Sequence, residues 1–238
     1  MDATVGPKEA ANPKLVGSGL IDAIPQVGEC RLKCPECFYN GGRFYRSLNM
    51  PLLPTAEEAR GKIVRVNSGH DSNLQRGLVL AKTCIYEHRF YNTSIPRFDF
   101  EDCPVVFTCN GRRLILVKDP PKNLMFVRFR LATDNLEEAD RAVQHYWLEH
   151  GIPVVMTFMR YYAKAAVPDP DKYEFRQSVI NSYWMIKVAV MLEMMSRWAK
   201  ANPPIRGVRM CGTPYSSFCG DCRNCEFLYW DCLRRMKT

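Results

Sequence analysis

Three cysteines near the start of the chain have a spacing that suits metal chemistry. Cys30, Cys34 and Cys37 form a CxxxCxxC segment, called the Cys30 loop below. Three thiolates on so short a loop can converge on one side of a four-iron four-sulfur cubane, each binding one iron, and leave the fourth iron open to a small molecule. A zinc site would normally take a fourth protein ligand to complete a tetrahedron. The spacing favours an iron–sulfur cluster with one open position, with zinc as the alternative.

A second set of cysteines lies near the other end of the chain and contains a CxxCxxC core. Packing in an apolar core gives no reason for thiols at every third residue, so this set also indicates a metal. Four protein thiolates would complete either a second iron–sulfur cluster or an all-cysteine zinc site. The residues alone leave both open. The members of this C-terminal cysteine group are Cys211, Cys219, Cys222 and Cys225.

The remaining composition sets limits on the class of protein. Of the 238 residues, 47% are apolar and 24% charged, which excludes a disordered chain. The N-terminus has no secretory signal and no segment resembles a membrane span, so we expect a cytoplasmic protein with no membrane partner. In a reducing compartment, clustered cysteines indicate metal binding rather than disulfides. The net charge of +8 is spread along the chain and points only weakly to an anionic partner. The four histidines show no metal-ligand spacing.

The cysteines must be positioned by elements in which short apolar strands alternate with amphipathic segments. This alternation predicts an α/β fold with a parallel sheet. Six units fit, fewer than the eight of a closed barrel, so we predict an open partial (β/α)6 TIM-like barrel with a C-terminal cysteine-rich extension. The barrel is expected over residues 14–210 and the extension over 211–238. Residues 105–117 read as a hairpin and 178–200 as one long helix. The six predicted strands are 17–24, 63–67, 89–93, 124–131, 152–159 and 205–210.

At the Cys30 loop the sequence resembles the radical S-adenosylmethionine superfamily, whose hallmark is CxxxCxxC after the first strand of a partial β/α barrel. The resemblance implies that the open iron binds the amino and carboxylate groups of S-adenosylmethionine. Reductive cleavage would then give methionine and a deoxyadenosyl radical that abstracts hydrogen from a substrate. The family often has an aromatic residue near the adenine just before the third cysteine. Glu36 occupies that position here, and Phe38 and Tyr39 are the expected substitutes.

The resemblance also implies partners and further cofactors. Several branches of the superfamily carry an auxiliary cluster after the barrel, which favours iron–sulfur at the C-terminal cysteine group. The predicted function is a radical enzyme acting on an unidentified nucleotide-like or peptide substrate, with a reductase or flavodoxin-type electron donor. The alternative is a non-catalytic, zinc-stabilised nucleic-acid-binding protein.

The loop after the second predicted strand matches the place where the superfamily holds the methionine amine. Gly69 permits close approach of the backbone, and Asp71 offers an anionic partner for an ammonium group. Asn67 begins the same segment. The glutamate–proline pair typical of the family is absent here, and a turn followed by a helix cap explains these residues equally well.

Polar residues on two later strands complete the predicted site. Asn92 and Ser94 follow the third strand and suit ribose hydroxyls or a carboxylate, although turn chemistry also accounts for them. Arg128 and Arg130 share one face of the next predicted strand because strand side chains alternate. Two guanidinium groups are too costly to bury unpaired. We therefore expect them to meet carboxylates of the protein, the cofactor or the substrate.

Overall fold

The computed structural model describes residues 12–34, 37, 50–100, 102–109, 113–177 and 182–238. Its main element is a seven-stranded, all-parallel sheet that curls into a half-barrel, in the order β1-β2-β3-β4-β5-β6-β10. Strands β1 and β10 therefore form its two edges. The predicted α/β class and parallel sheet are confirmed. The strands are β1 (Leu20–Ala23), β2 (Ile63–Val66), β3 (Arg89–Thr93), β4 (Val105–Cys109), β5 (Leu124–Leu131), β6 (Val154–Phe158) and β10 (Val208–Met210).

The seventh strand is the difference from the predicted six. Val105–Cys109 was expected to form one arm of a hairpin, but it is strand β4 and pairs in parallel with both β3 and β5. Its first three residues and Cys109 are buried. Insertion between two buried strands removes more apolar surface from water than a small exposed hairpin would, so the sheet accepts this segment as a central strand.

One face of the sheet is covered by helices, as expected where parallel strands are joined by crossovers. These are α1 (Ala56–Ala59), α2 (Arg76–Thr83), α3 (Leu136–Ala142) and α4 (Val188–Ala199), and α3 continues as a π-helical segment over Val143–Glu149. Thr55 is the N-cap of α1. Thr55 accepts from the Glu58 backbone N–H, while the Glu58 carboxylate accepts from the Thr55 N–H, which makes a capping box.

A small antiparallel sheet replaces the first part of the predicted long helix. Its strands are β7 (Arg160–Tyr161), β8 (Tyr173–Arg176) and β9 (Tyr183–Ile186), in the order β7-β9-β8. The prediction of one helix over 178–200 is therefore wrong for residues 183–186. Aromatic residues favour strands, and the Tyr-Trp-Met-Ile run finds a partner in β8. Helix α4 begins only at Val188.

The opposite face of the sheet is called the inner face. It is lined by the alternate strand residues Leu20, Ile63, Phe90, Val106 and Phe126. Helices α5 (Cys219–Cys222) and α6 (Asn224–Lys237) follow β10 and pack onto this face, where Leu228, Tyr229 and Cys232 join its apolar cluster.

The turn into α5 is fitted closely against the segment before β1. A Cβ atom on Gly220 would lie 2.9 Å from the carbonyl carbon of Gly17 and from the oxygen of Val16. The C-terminal segment therefore reaches from the β10 edge of the sheet back to the β1 edge. Within the described part of the chain, no helix combines the length and apolar character needed to cross a membrane.

Candidate functional site

The Cys30 loop follows β1 at the carboxyl end of the sheet. Burial raises the pKa of Cys30, and the negative charges of Asp71, Cys34 and Cys37 raise it further, against a lowering by the Leu32 backbone. The Cys37 backbone N–H donates to the Cys34 carbonyl at 3.2 Å. The three thiols thus lie close enough to influence one another electrostatically. Glu36, Phe38 and Tyr39 lie outside the described residues.

The loop after β2 supports the segment that leads from β1 into the Cys30 loop. Gln26 donates through Nε2 to the backbone oxygens of Asp71 and Leu74, at 3.1 and 2.9 Å. Gly69 has φ +128°, a backbone conformation that favours glycine. Burial lowers the pKa of His70, partly offset by an interaction with the Gly28 backbone. The two loops therefore form one connected structure.

Asp71 ties the β2 loop to the end of β3. Its carboxylate accepts from Thr93 Oγ1 at 2.9 Å, from the Asn73 N–H at 2.9 Å and from the Ser94 N–H at 2.5 Å. Burial nevertheless raises its pKa, and these hydrogen bonds lower it in part. The Asp71 carboxylate, which was expected to meet an ammonium ion, thus connects the loops after β2 and β3. Ser94 takes part in this connection through its backbone N–H.

Asn67 and Asn92 connect neighbouring strands at the same edge. Asn67 Nδ2 donates to Ser72 Oγ at 3.0 Å, and Asn92 Nδ2 donates to the Val66 carbonyl at 2.8 Å. Asn92 Oδ1 accepts from Arg128 Nη1 at 3.2 Å, and Arg128 also approaches Thr108 Oγ1 at 3.4 Å. The structure therefore brings Asn92 and Arg128 together on the inner face. Arg130 lies on the same side of β5 and is buried.

The C-terminal cysteine group lies against this same face. Burial raises the pKa of Cys225 to about 12, against lowering by Arg128 and Arg65, and Cys211 and Cys219 raise it further. Burial also raises the pKa of Cys219, with Arg65 lowering it and Cys211 and Cys222 raising it. Cys211, Cys219 and Cys225 therefore lie within electrostatic reach of one another, as do Cys219 and Cys222, and a metal would have to displace their protons. Arg128 is the link between this group and the predicted cofactor contact Asn92.

Sequence reasoning missed two charged residues on the inner face. Arg65 donates through Nε to Asp22 Oδ1 at 2.6 Å, and its Nη1 lies 4.0 Å from Cys219 Sγ. Asp22 and Arg65 are register partners on β1 and β2. A usable signal existed, because each is a single charged residue inside a short apolar strand and the two charges are opposite. Another cation, Lys14, is near Cys211 and Cys219; desolvation, then Arg160, lowers its pKa to about 8.

The donor set fits a thiophilic metal or cluster. Three thiols on the Cys30 loop and four in the C-terminal cysteine group are soft ligands suited to iron–sulfur centres or zinc. Three buried polar atoms around the Cys30 loop have no hydrogen-bond partner among the described residues. Such atoms are rare in folded proteins and indicate where a ligand or water would bind. They are Gln26 Oε1, Asn67 Oδ1 and His70 Nε2.

Comparisons of the chain with protein-family models, with curated proteins and with solved structures give no match. The site's own geometry and chemistry are therefore the basis for its function.

Proposed function

We propose that this chain is a radical S-adenosylmethionine enzyme built on an open TIM-like barrel. One observation carries the proposal: three thiols of a CxxxCxxC loop lie within electrostatic reach of one another at the carboxyl end of β1 in a parallel half-barrel. Loops at the carboxyl ends of parallel strands are where β/α barrels place their reactive groups.

Cys30, Cys34 and Cys37 would hold a four-iron four-sulfur cluster. When bound, this cluster would use an electron from a reductase or flavodoxin-type donor to cleave S-adenosylmethionine, and the resulting deoxyadenosyl radical would abstract hydrogen from the substrate. The chain's own contribution is binding, orientation and exclusion of water.

The surrounding residues supply that binding and orientation. Asn67 Oδ1 is a buried acceptor with no partner among the described residues, which suits the ammonium of the methionine part. The Arg128 guanidinium lies beside Asn92 and suits the carboxylate of the methionine part. Asp71 keeps the loops after β2 and β3 in fixed relation. Arg130 is buried on the same side of β5 and adds to the positive potential.

The C-terminal cysteine group would hold a second four-iron four-sulfur cluster. Arg65 and Arg128 lie beside its thiols. Nearby cations offset the negative charge of four thiolates, and charge around a cluster is one of the factors that set its reduction potential. The substrate class would be nucleotide-like or peptide.

The test is anaerobic reconstitution with iron and sulfide, followed by reduction in the presence of S-adenosylmethionine. The wild-type protein should be brown, bind about eight irons if both sites hold four, and yield deoxyadenosine. Cys34→Ala should abolish deoxyadenosine formation because it removes one of only three ligands. Cys222→Ala should lower the iron content and stability but retain some cleavage.

The matched control is Cys84→Ala, which removes an exposed thiol outside both cysteine groups. It should change neither the iron content nor the yield of deoxyadenosine. Retention of cleavage by Cys34→Ala, together with its loss in Cys222→Ala, would reverse the roles of the two sites. Colourless protein that binds only zinc would contradict the proposal.

A second candidate function, a zinc-stabilised nucleic-acid-binding protein, is favoured by the small antiparallel sheet. Phe175 is 53% exposed and packs against Trp184, with ring centroids 5.4 Å apart. Lys164 lies 5.5 Å from the Trp184 ring. Exposed aromatic rings beside cations can stack on unpaired bases. Fluorescence anisotropy of a labelled single-stranded oligonucleotide tests this candidate: it requires salt-sensitive binding that Trp184→Ala weakens.

A further inference from the structure

The helix after β5 changes type before it ends, and the change brings three potential ligands together. Residues Val143–Glu149 are π-helical and His150 is the C-cap. A π-helix bonds residue i to residue i+5, so residues five apart return to the same side, and such segments often occur at functional sites. His145, Glu149 and His150 accordingly place one ligand atom each within 4.8 Å of one another.

The tautomer of His145 is fixed by its neighbours. Its Nε2 lies 2.7 Å from the carbonyl oxygen of Val117. A carbonyl can only accept, so Nε2 must carry the hydrogen, and in the neutral ring Nδ1 then presents a lone pair. A histidine that donates one ring nitrogen to a backbone carbonyl is the usual arrangement for a metal ligand.

The segment that supplies this carbonyl is itself held in place. The Tyr146 hydroxyl donates to the Ile115 carbonyl at 2.7 Å and accepts from the Val117 N–H at 3.1 Å. Tyr146 is fully buried. Hydrogen bonds of the buried Tyr146 hydroxyl therefore hold in place the segment whose Val117 carbonyl accepts from His145.

The lone pair of His145 faces a carboxylate. His145 Nδ1 and Glu149 Oε2 are 3.1 Å apart, and Gln144 Nε2 donates to Glu149 Oε1 at 3.3 Å. Both facing atoms are acceptors when the ring is neutral, so a positive species between them is required to make the contact favourable. A proton on Nδ1 would make an ion pair, and a metal ion would make a ligand pair.

The position of His150 favours the metal. Its ring centroid lies 4.8 Å from that of His145, at an interplanar angle of 69°. With Zn–N bonds of about 2.0–2.1 Å, tetrahedral ligand atoms are about 3.3 Å apart. The His145–Glu149 pair is already close to this spacing at 3.1 Å. No two of the three ligand atoms are more than 4.8 Å apart, so the exposed His150 at the helix end has to close a gap of at most about 1.5 Å.

We propose that His145, Glu149 and His150 bind one divalent transition-metal ion of the Zn²⁺ class, with water completing the coordination. Two imidazoles and one carboxylate form a set that Zn²⁺ uses with an open fourth position. The bound ion would also strengthen the attachment of the 115–117 segment to the π-helix. This site is separate from both cysteine groups.

The test is a Zn²⁺ titration of protein labelled with ¹⁵N-histidine, whose cysteine groups have first been saturated with metal. The chain has four histidines, so the imidazole spectrum contains few signals and thiols do not contribute. The ring nitrogens of His145 and His150 should shift together and saturate at one added equivalent, with Nε2 of His145 keeping its hydrogen. His150→Gln should weaken the affinity by at least about tenfold.

The matched control is His88→Gln, which removes a histidine that packs against Tyr229 and Trp230 of α6 and should leave the titration unchanged. Absence of a shift at His145 in excess Zn²⁺ would overturn the proposal. So would an equal affinity in His150→Gln, because His145 and Glu149 would then be an ordinary ion pair.

Discussion

Arg65 and Asp22 form a buried ion pair across β1 and β2, with side chains 9% and 2% exposed and Nε–Oδ1 at 2.6 Å. Arg65→Met would remove the cation that compensates the buried carboxylate, and it should lower the free energy of urea unfolding by about 3–5 kcal/mol. It should also lower the metal content of the C-terminal cysteine group, because Arg65 lies beside Cys219.

The double variant Asp22→Leu/Arg65→Met separates these two effects. Replacement of both charges by apolar side chains should restore most of the unfolding free energy, while the metal content stays low. A double variant with the metal content of the wild type would show that Arg65 has only a structural role.

The close approach of Gly220 to Gly17 makes a second prediction. Gly220→Ala would place a methyl group at 2.9 Å from backbone atoms that cannot move aside easily. We expect a loss of about 1–3 kcal/mol in unfolding free energy, as for other overpacked sites, and lower metal loading at Cys219 and Cys222. Urea unfolding and metal analysis measure both effects.

Gly77→Ala is the matched control. Gly77 is an exposed position of α2, with nothing within 4 Å of a Cβ. Alanine there should stabilise the protein by up to about 1 kcal/mol. Equal behaviour of the two variants would contradict the tight fit at Gly220.

Arg128 is expected to act on ligand affinity. If its guanidinium meets the carboxylate of S-adenosylmethionine, Arg128→Met removes a charge-assisted hydrogen bond worth about 1.5–3 kcal/mol. The dissociation constant, measured by equilibrium dialysis at equal iron loading, should rise at least about tenfold. Arg97→Met, at an exposed loop position, should bind as the wild type does. An unchanged constant in Arg128→Met would remove Arg128 from the site.

The buried thiol of Cys109 gives a prediction about pH. Burial raises its pKa to about 12. In the unfolded chain the thiol ionises near pH 9, so its contribution to stability is constant below that pH and is lost as the pH rises toward 12. Between pH 9 and 10 this single group should cost the wild type about 1 kcal/mol of unfolding free energy. Cys109→Val should lack this component.

Urea unfolding at the two pH values measures this difference. Cys84→Ala, which removes an exposed thiol, should reproduce the wild-type dependence. Identical slopes for Cys109→Val and the wild type would contradict the assignment.

Much of the sheet was predictable because its strands are continuous apolar runs between turn signals. Strands β3 and β5 have the predicted bounds of 89–93 and 124–131. The misassigned elements are those whose local sequence pattern differs from the strand pairing that they adopt. The Asn110-Gly111 pair indicated a hairpin, but β4 instead lies between β3 and β5. Likewise, β9 follows its pairing with β8 rather than the helical pattern that continues into α4.

The candidate site likewise has a part that local spacing predicted and a part that depends on the tertiary structure. The spacing of Cys30, Cys34 and Cys37 is local, and the charges of Cys34 and Cys37 raise the pKa of Cys30. The Asp22–Arg65 pair and its contact with Cys219 depend on which strands are neighbours. The four histidines show no metal-ligand spacing in the sequence, so His145 and His150 were not predicted to lie together. Only the π-helical segment places them side by side.

The position of α6 has a consequence for biosynthesis. This helix covers the inner face, yet it follows all seven strands in the chain. The last strand ends at Met210 and α6 ends at Lys237, and at about 5–20 residues per second these 27 residues take about 1–5 s to emerge from the ribosome. During that interval the sheet's inner face is uncovered, so a nascent chain exposes an apolar surface and needs protection from aggregation.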